Sequence, residues 1–309
     1  MRCPIVGANL EAVSIPIFAV AEFAKIRSIP ILSEFLRIQL RFKFSFPLRL
    51  SFAMHQPPHD STTRFSNRVE NYVRFRPTYP DGVLQLLREE TSLTTASVIA
   101  DVGSGTGISS ELFLRNGNEV FGIEPNAEMQ QAAETLLERY ANFHSIAARA
   151  EATTLPAASV DYVVAGQAFH WFDREPTRKE FARILRPSGW VVLLWNTRRT
   201  DSTQFLRDYE SLLQKYGTDY RDIQHNQIDS EVLQSFFAGG QLTSRHLFNE
   251  QRFDFEGLKG RLLSSSYAPT EDHPNYQPMI RDLERAFREH NEGNHVCFEY
   301  DTDIYFGHV

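Results

Sequence analysis

The chain predicts a doubly wound α/β layer, a parallel sheet with helices on both faces. Three observations lead there. Short apolar runs at 97–102, 118–123, 143–147, 160–166 and 190–195 have the length and turn-bounded character of buried strands. Between them, 108–116, 127–140 and 174–185 repeat apolar residues at helical spacing; in the second, Met129, Ala132, Ala133, Leu136 and Leu137 fall on one face. Strand alternating with helix, joined by right-handed crossovers, puts helices on both sides of one sheet. The composition, 42% hydrophobic and 23% charged over 309 residues, is enough for one large core.

Residues 1–53 differ from the rest. They are Phe-rich, interrupted by Pro16, Pro30 and Pro47, and carry seven Lys/Arg against three Glu. No apolar run in them approaches the roughly 20 residues of a spanning helix. They read as a poorly ordered leader or targeting segment, and 54–309 as the domain. The expected compartment is cytoplasmic, with organelle import through 1–53 left open.

Within 54–309, the stretch 54–90 predicts N-terminal lid helices. Phe65, Val69, Tyr72 and Val73 share a face after the Ser61-Thr62-Thr63 cap, and Arg76-Pro77-Thr78-Tyr79-Pro80 ends that helix. A second helix follows from Gly82. The core is 97–196. Beyond it the rhythm changes: helices at 203–216, 229–237, 255–265 and 276–290 and a strand at 243–254 form a cap or substrate region over 197–290, and 291–309 closes on a strand.

The remainder after residue 53 carries 25 basic and 36 acidic residues, a poor surface for a phosphate backbone, so no nucleic-acid partner is expected. Two cysteines, Cys3 and Cys297, make neither a disulfide framework nor a cysteine metal cluster. No metal site is expected: His144, His170, His225 and His246 are isolated. His55 and His59 are separated by Pro57-Pro58, which forbids the helix that would align them. Oligomeric state is not legible.

The chemistry begins at Val98-Ile-Ala-Asp-Val-Gly-Ser-Gly-Thr-Gly-Ile108. Glycines there let the backbone turn tightly and a ligand approach the main chain. A phosphate-binding Walker loop would need Lys-Ser/Thr after the last glycine, but Ile108 follows Gly107. The dinucleotide fingerprint fits imperfectly, its third glycine arriving one residue early. At the next strand's end stands Glu124, in Val120-Phe-Gly-Ile-Glu-Pro-Asn126, where a carboxylate can accept both hydroxyls of a ribose. Asn126 suits the cap of the helix that follows.

Asp101-Val-Gly103-Ser-Gly105-Thr-Gly107 resembles the first motif of class I S-adenosylmethionine-dependent methyltransferases. The resemblance extends over about 64–309, through Arg64-Phe-Ser-Asn-Arg-Val-Glu-Asn-Tyr72, Phe169-His-Trp171, Leu185-Arg-Pro-Ser-Gly189 and Phe253-Asp-Phe-Glu-Gly-Leu-Lys-Gly-Arg-Leu-Leu-Ser-Ser-Ser266. It is similar to the methyltransferase type 11 group related to trans-aconitate methyltransferases. The resemblance implies a Rossmann-like methyltransferase sheet with a helical cap from the C-terminal half, and S-adenosylmethionine as cofactor. It puts cofactor contacts on Asp101, Gly103, Ser104, Gly105, Glu124, Pro125, Ala150, Glu151 and Gln167. Ala150-Glu151 falls where the family holds adenine, though Arg149 stands where an Asp is common. An acid such as Asp101 suits a ligand bearing ammonium and sulfonium, and would repel a pyrophosphate.

The implied reaction is methyl transfer to a small-molecule acceptor, a carboxylate or a hydroxyl. Only the hydroxyl gains from a base. His170 is the base candidate by chemistry and position, with a structural role beside Trp171 as its alternative, and Tyr72 is the second catalytic candidate; Tyr72 and Tyr267 could close over the cofactor or bind the acceptor through their hydroxyls, or be core aromatics. Arg74, Arg76, Arg198 and Arg199 fall near the expected mouth and could pair with a ligand carboxylate, or be solvated or paired with acids of the chain such as Glu70. Two other readings stay open: a nicotinamide-dependent oxidoreductase, and a module that binds S-adenosylmethionine without turnover.

Overall fold

The computed structural model describes residues 74–218, 220, 230–237 and 241–309. All belong to one of two compact units, Pro57–Val309. The leader expected over 1–53, and the helix carrying Tyr72, lie outside the described residues.

Seven strands form one sheet in the order β3-β2-β1-β4-β5-β7-β6. β1 (Val98–Val102), β2 (Glu119–Ile123), β3 (Phe143–Ile146), β4 (Val160–Gly166) and β5 (Leu185–Arg198) are parallel, as the alternation predicts. β6 (Thr243–Phe253) and β7 (Val296–Gly307) extend the sheet antiparallel. The expected strand at 190–195 is thereby lengthened, because β7 pairs along β5 as far as Arg198 opposite Tyr300. The chain steps outward from β1 in one direction and from β4 in the other. Their carboxyl ends therefore flank the crevice where open α/β sheets bind ligands.

Local chemistry explains the helices. α1 (Gly82–Thr91) buries Val83, Leu84 and Leu87 and stops at Ser92 in the left-handed conformation. α2 (Ile108–Arg115) starts directly from the glycine turn. α3 (Ala127–Leu136) is capped by Asn126, whose side chain accepts from the Met129 amide at 2.8 Å. It is shorter than the expected 127–140, since 137–140 close into a turn through Tyr140 N to Leu137 O. α4 (Arg174–Ile184) precedes β5. The later helices are α5 (Gln204–Tyr216), α6 (Ser230–Phe236), α7 (Phe255–Leu263) and α8 (Tyr276–His290).

Two apolar clusters cover the sheet's faces, one built on Val163, Ala165, Val191 and Leu193, the other on Val164, Val192, Leu194 and Phe306. A third joins α5, α7 and α8 to Phe298 and Tyr300 of β7. No described helix is long and apolar enough to cross a membrane.

Candidate functional site

Gly103, Gly105 and Gly107 all have positive φ, at 69°, 56° and 88°. Such angles strain any residue with a Cβ. The turn is pinned from below, where the amides of Gly103 and Ser104 donate to the Ile123 carbonyl at 2.8 and 3.1 Å. A Cβ on Gly103 would lie 2.5 Å from that of Ala168, so the turn packs directly on the end of β4; one on Gly105 would meet nothing within 4 Å. Gly105 is the point where the main chain is open to a ligand.

Glu124 holds the turn in place. Its Oε2 accepts from the Gly105 amide and its Oε1 from the Asn126 amide, both at 2.9 Å. Burial pushes its carboxyl above the ordinary value, and the two amides pull the other way. Asp101 lies deeper, fully buried on β1. Oδ2 accepts from Ser109 and Ser110 at 2.8 and 2.6 Å, while Oδ1 has no hydrogen-bond partner. Burial raises this carboxyl to about 6, against the hydrogen bonds from Ser110 and Ser109, and the nearby Glu124 adds to the rise.

The loop after β3 is fastened to α4. Thr153 donates through its amide and hydroxyl to Glu180 Oε1, at 2.8 and 2.6 Å. Arg183, above all, with Thr153, holds the Glu180 carboxyl down to about 2 despite some burial. Glu151 Oε1 accepts from the Asp173 amide at 3.0 Å, and its other oxygen stands 3.5 Å from Arg149. Ala150 and Glu151 thus line, with Pro125, Met129, Trp171 and Phe172, one cleft of about 780 Å³ counted together with its open mouth.

Eight of the nine expected cofactor residues meet around the turn: Gly103, Gly105, Glu124, Pro125, Ala150, Glu151 and Gln167 line this cleft, and Asp101 supports the turn through Ser109 and Ser110. The ninth, Ser104, lines a second cavity of about 520 Å³ on the turn's other side. Gln167 lines both, in the left-handed conformation at φ 56°, and its side chain donates to the Asn196 carbonyl at 3.0 Å. Non-glycine residues take that conformation at helix ends and turns, as Ser92 does, and strained ones also cluster at ligand sites.

The arginines and the histidine are arranged differently from the expectation. Arg198 is buried against Glu210 and Arg199 pairs with Asp301, so neither faces the crevice as a ligand cation. Arg74 lies over the Phe75 ring. Of the four, Arg76 lines the second cavity. His170 is exposed, tilted on Trp171 at 4.7 Å between ring centres, and lines neither cavity. His290, Asp208 and Glu289 do cluster on α5 and α8, with His290 2.7 Å from Asp208, far from the glycine turn in sequence and in topology.

Sequence reasoning missed Trp171, Phe172, Asn196, Tyr79 and Arg261 as cavity residues. Arg261 had a signal. With Leu258, Leu262 and Ser265 it occupies the stripe that a helix at 255–265 must bury.

Residues 100–193 match the family described as a methyltransferase domain. An uncharacterized methyltransferase-like protein of Schizosaccharomyces pombe is 31% identical over 156 residues, 50% of this chain and 59% of that protein. A Saccharomyces cerevisiae protein named "Probable S-adenosylmethionine-dependent methyltransferase" is 26% identical over 193 residues, 60% of this chain and 64% of its own length. The chain thus spans about three fifths of the length of these relatives. Among solved structures, a "Putative Type II Methyltransferase" from Anaeromyxobacter dehalogenans superposes with a TM-score of 0.57 at 21% identity, covering 76% of this chain and 98% of that one. The fold is the α/β methyltransferase fold.

Proposed function

We propose that the chain is an S-adenosylmethionine-dependent methyltransferase acting on a small molecule. The observation that carries this reading is Glu124 at the tip of β2, bonded to the Gly105 amide of a turn whose open face is that glycine. The chain's own groups fit the donor. The cleft is large enough for a nucleoside, an acid stands where ribose hydroxyls need an acceptor, and the unpartnered Asp101 Oδ1 favours a cationic ligand over a pyrophosphate. The methyltransferase-domain match over 100–193 supports the same choice against a nicotinamide enzyme.

In this reading Glu124 would hold the ribose. Ala150 and Glu151 would flank the adenine, with Pro125 and Met129 opposite, and Gly103, Ser104 and Gly105 would carry the methionine part. When bound, the donor supplies an activated methyl group on a sulfonium. The protein's task is then alignment of an acceptor about 3 Å from that methyl and exclusion of water. Gln167, shared by both cavities, marks the boundary where donor and acceptor would meet. Among the described residues neither cavity wall offers a histidine or a lysine, which favours an acceptor needing no deprotonation, such as the carboxylate of an organic acid. The finer resemblance to trans-aconitate methyltransferases points the same way.

Isothermal titration with S-adenosylmethionine and S-adenosylhomocysteine tests the donor; labelled-methyl transfer across an acceptor panel tests the reaction. Binding of NAD(H) with no binding of either sulfur nucleoside would overturn the reading. Tight nucleoside binding with no transfer to any acceptor would leave a binding module.

A further inference from the structure

The second cavity has a charge problem. Among the described residues its ionisable lining is Arg76, Tyr79 and Arg261, with no carboxylate. Arg261, on α7, is 6% exposed. Its Nε donates to the Tyr300 hydroxyl at 3.3 Å and its Nη1 to Ser265 Oγ at 3.2 Å. Tyr300, Tyr267 and Tyr209 are its near neighbours, and no carboxylate of the described residues forms an ion pair with it. Tyr209, itself 1% exposed, has a hydroxyl with no hydrogen-bond partner.

Arg198 provides the contrast. It lies over the Tyr209 ring, somewhat less buried than Arg261, and Glu210 and Tyr220 meet it. Around Tyr209 the described residues therefore gather two guanidinium groups and one carboxylate. A guanidinium cannot escape burial by losing its proton, and a buried charge is expensive unless something of opposite sign pairs with it. The missing partner is one negative charge, at a cavity that shares Gly103, Gly105, Gly166 and Gln167 with the nucleoside cleft. The planar fork of arginine matches the two oxygens of a carboxylate.

We propose that Arg261 is a carboxylate-binding residue, receiving in this cavity the carboxylate of a bound ligand. That carboxylate belongs either to the amino-acid end of the methyl donor or to an acid acceptor. The inference rests on the donor reading above. In both cases the pocket's uncompensated cation is neutralised only when the site is filled, which makes Arg261 a specificity determinant and not a support for the empty fold.

The test uses the full chain and two probes. In the first, wild type and Arg261→Met are titrated with S-adenosylmethionine and with its decarboxylated analogue. If the donor supplies the carboxylate, wild type binds the analogue at least 30-fold more weakly and Arg261→Met binds the two alike. Arg261→Lys, a charge without the fork, keeps only a small part of the preference. In the second, thermal melting is followed with saturating S-adenosylhomocysteine while succinate or citrate is added. If the acceptor supplies the carboxylate, one of these raises the wild-type midpoint and not that of Arg261→Met, and decarboxylation of the donor costs little. The inference is overturned if wild type shows neither effect, or if Arg261→Met retains whichever effect wild type shows. The wild-type arms decide it even where a substitution fails to fold. Loss of all nucleoside binding in wild type would instead overturn the donor reading, and the inference with it.

Discussion

The two cavities on either side of the glycine turn are built in opposite ways. The nucleoside cleft is assembled from one continuous stretch, 103–172, and its acids are already engaged: Glu124 by the amides of Gly105 and Asn126, Glu151 by that of Asp173. The second cavity borrows its walls from segments far apart, Arg76 to Tyr79, Asn196 and Arg261, and its cation on α7 meets no acid of the described residues. A site whose polar groups are satisfied while empty is preorganised for one ligand. A site left electrically open is completed by what it binds, so the second cavity is where selectivity between acids would reside.

The sharpest way to break this comparison is to remove each buried guanidinium in turn. Arg198→Met takes from the buried Glu210 the guanidinium that pairs with it. The expected loss is about 3–5 kcal/mol of unfolding free energy. Arg261→Met removes a cation that no described acid neutralises, and the ligand-free protein should lose far less. Urea unfolding of both variants decides it. Equal losses would mean that Arg261 is paired within the fold after all, and the contrast between the cavities would fail.

A second prediction concerns the turn's buried support. The folded Asp101 carboxyl titrates at about 6, against 3.8 for the free side chain, chiefly because burial disfavours its charge. The sign follows from which state binds protons more readily. Here the folded state does, so this group's contribution is fully present below about pH 3.8 and is lost as pH rises through about 6. The loss amounts to at most about 3 kcal/mol between those limits. Asp101→Asn should flatten that part of the stability profile. Unfolding midpoints at pH 4, 6 and 8 measure it; an unchanged pH dependence in the variant would exclude Asp101 as its source.

Much of the nucleoside cleft was legible because its determinants are local. Strand, glycine turn, helix and a terminal acid fall within about 25 residues, and hydrogen bonds from Gly105 to Glu124 and from Ser109 to Asp101 span 19 and 8 positions. The second cavity was not. Arg198 and Arg199 looked like mouth residues until β7, about a hundred positions later, extended β5 and set Asp301 beside Arg199. Glu210, twelve residues on, claimed Arg198 only because α5 folds back over the strand's end. Arg261 was legible in kind, as a charge inside an apolar helical stripe, but its neighbours Tyr209 and Tyr300 come from elements distant in sequence. His170 shows the limit of position alone: its place after β4 suggested a base, yet the short turn at 169–171 buries Phe169 and sends the histidine outward.

A third prediction sharpens the preorganised side. Glu124→Gln keeps the shape and one acceptor oxygen but loses the charge, and it offers an amide where the turn presents another donor, the Gly105 N–H. Affinity for S-adenosylhomocysteine should fall by about 1.5–3 kcal/mol, roughly 10- to 150-fold, the usual cost of losing a hydrogen bond to a charged group. Calorimetry on a variant whose circular dichroism matches wild type reads this directly. Undiminished affinity would remove Glu124 from the ribose role and weaken the donor reading.

The smallest expected effect is the most discriminating about arginines. Arg199 pairs with Asp301 at 2.7 Å, with both side chains about a third exposed, and Glu299 stands at 3.9 Å. Pairs this open to solvent are screened and contribute little. Arg199→Gln should therefore shift the unfolding midpoint little, and should change neither nucleoside affinity nor the response to carboxylate probes. A clear loss of carboxylate response in Arg199→Gln would move the anion site from Arg261 to the β5–β7 edge. If the response survives there and vanishes in Arg261→Met, it belongs to the one buried guanidinium lining the cavity that meets no described acid.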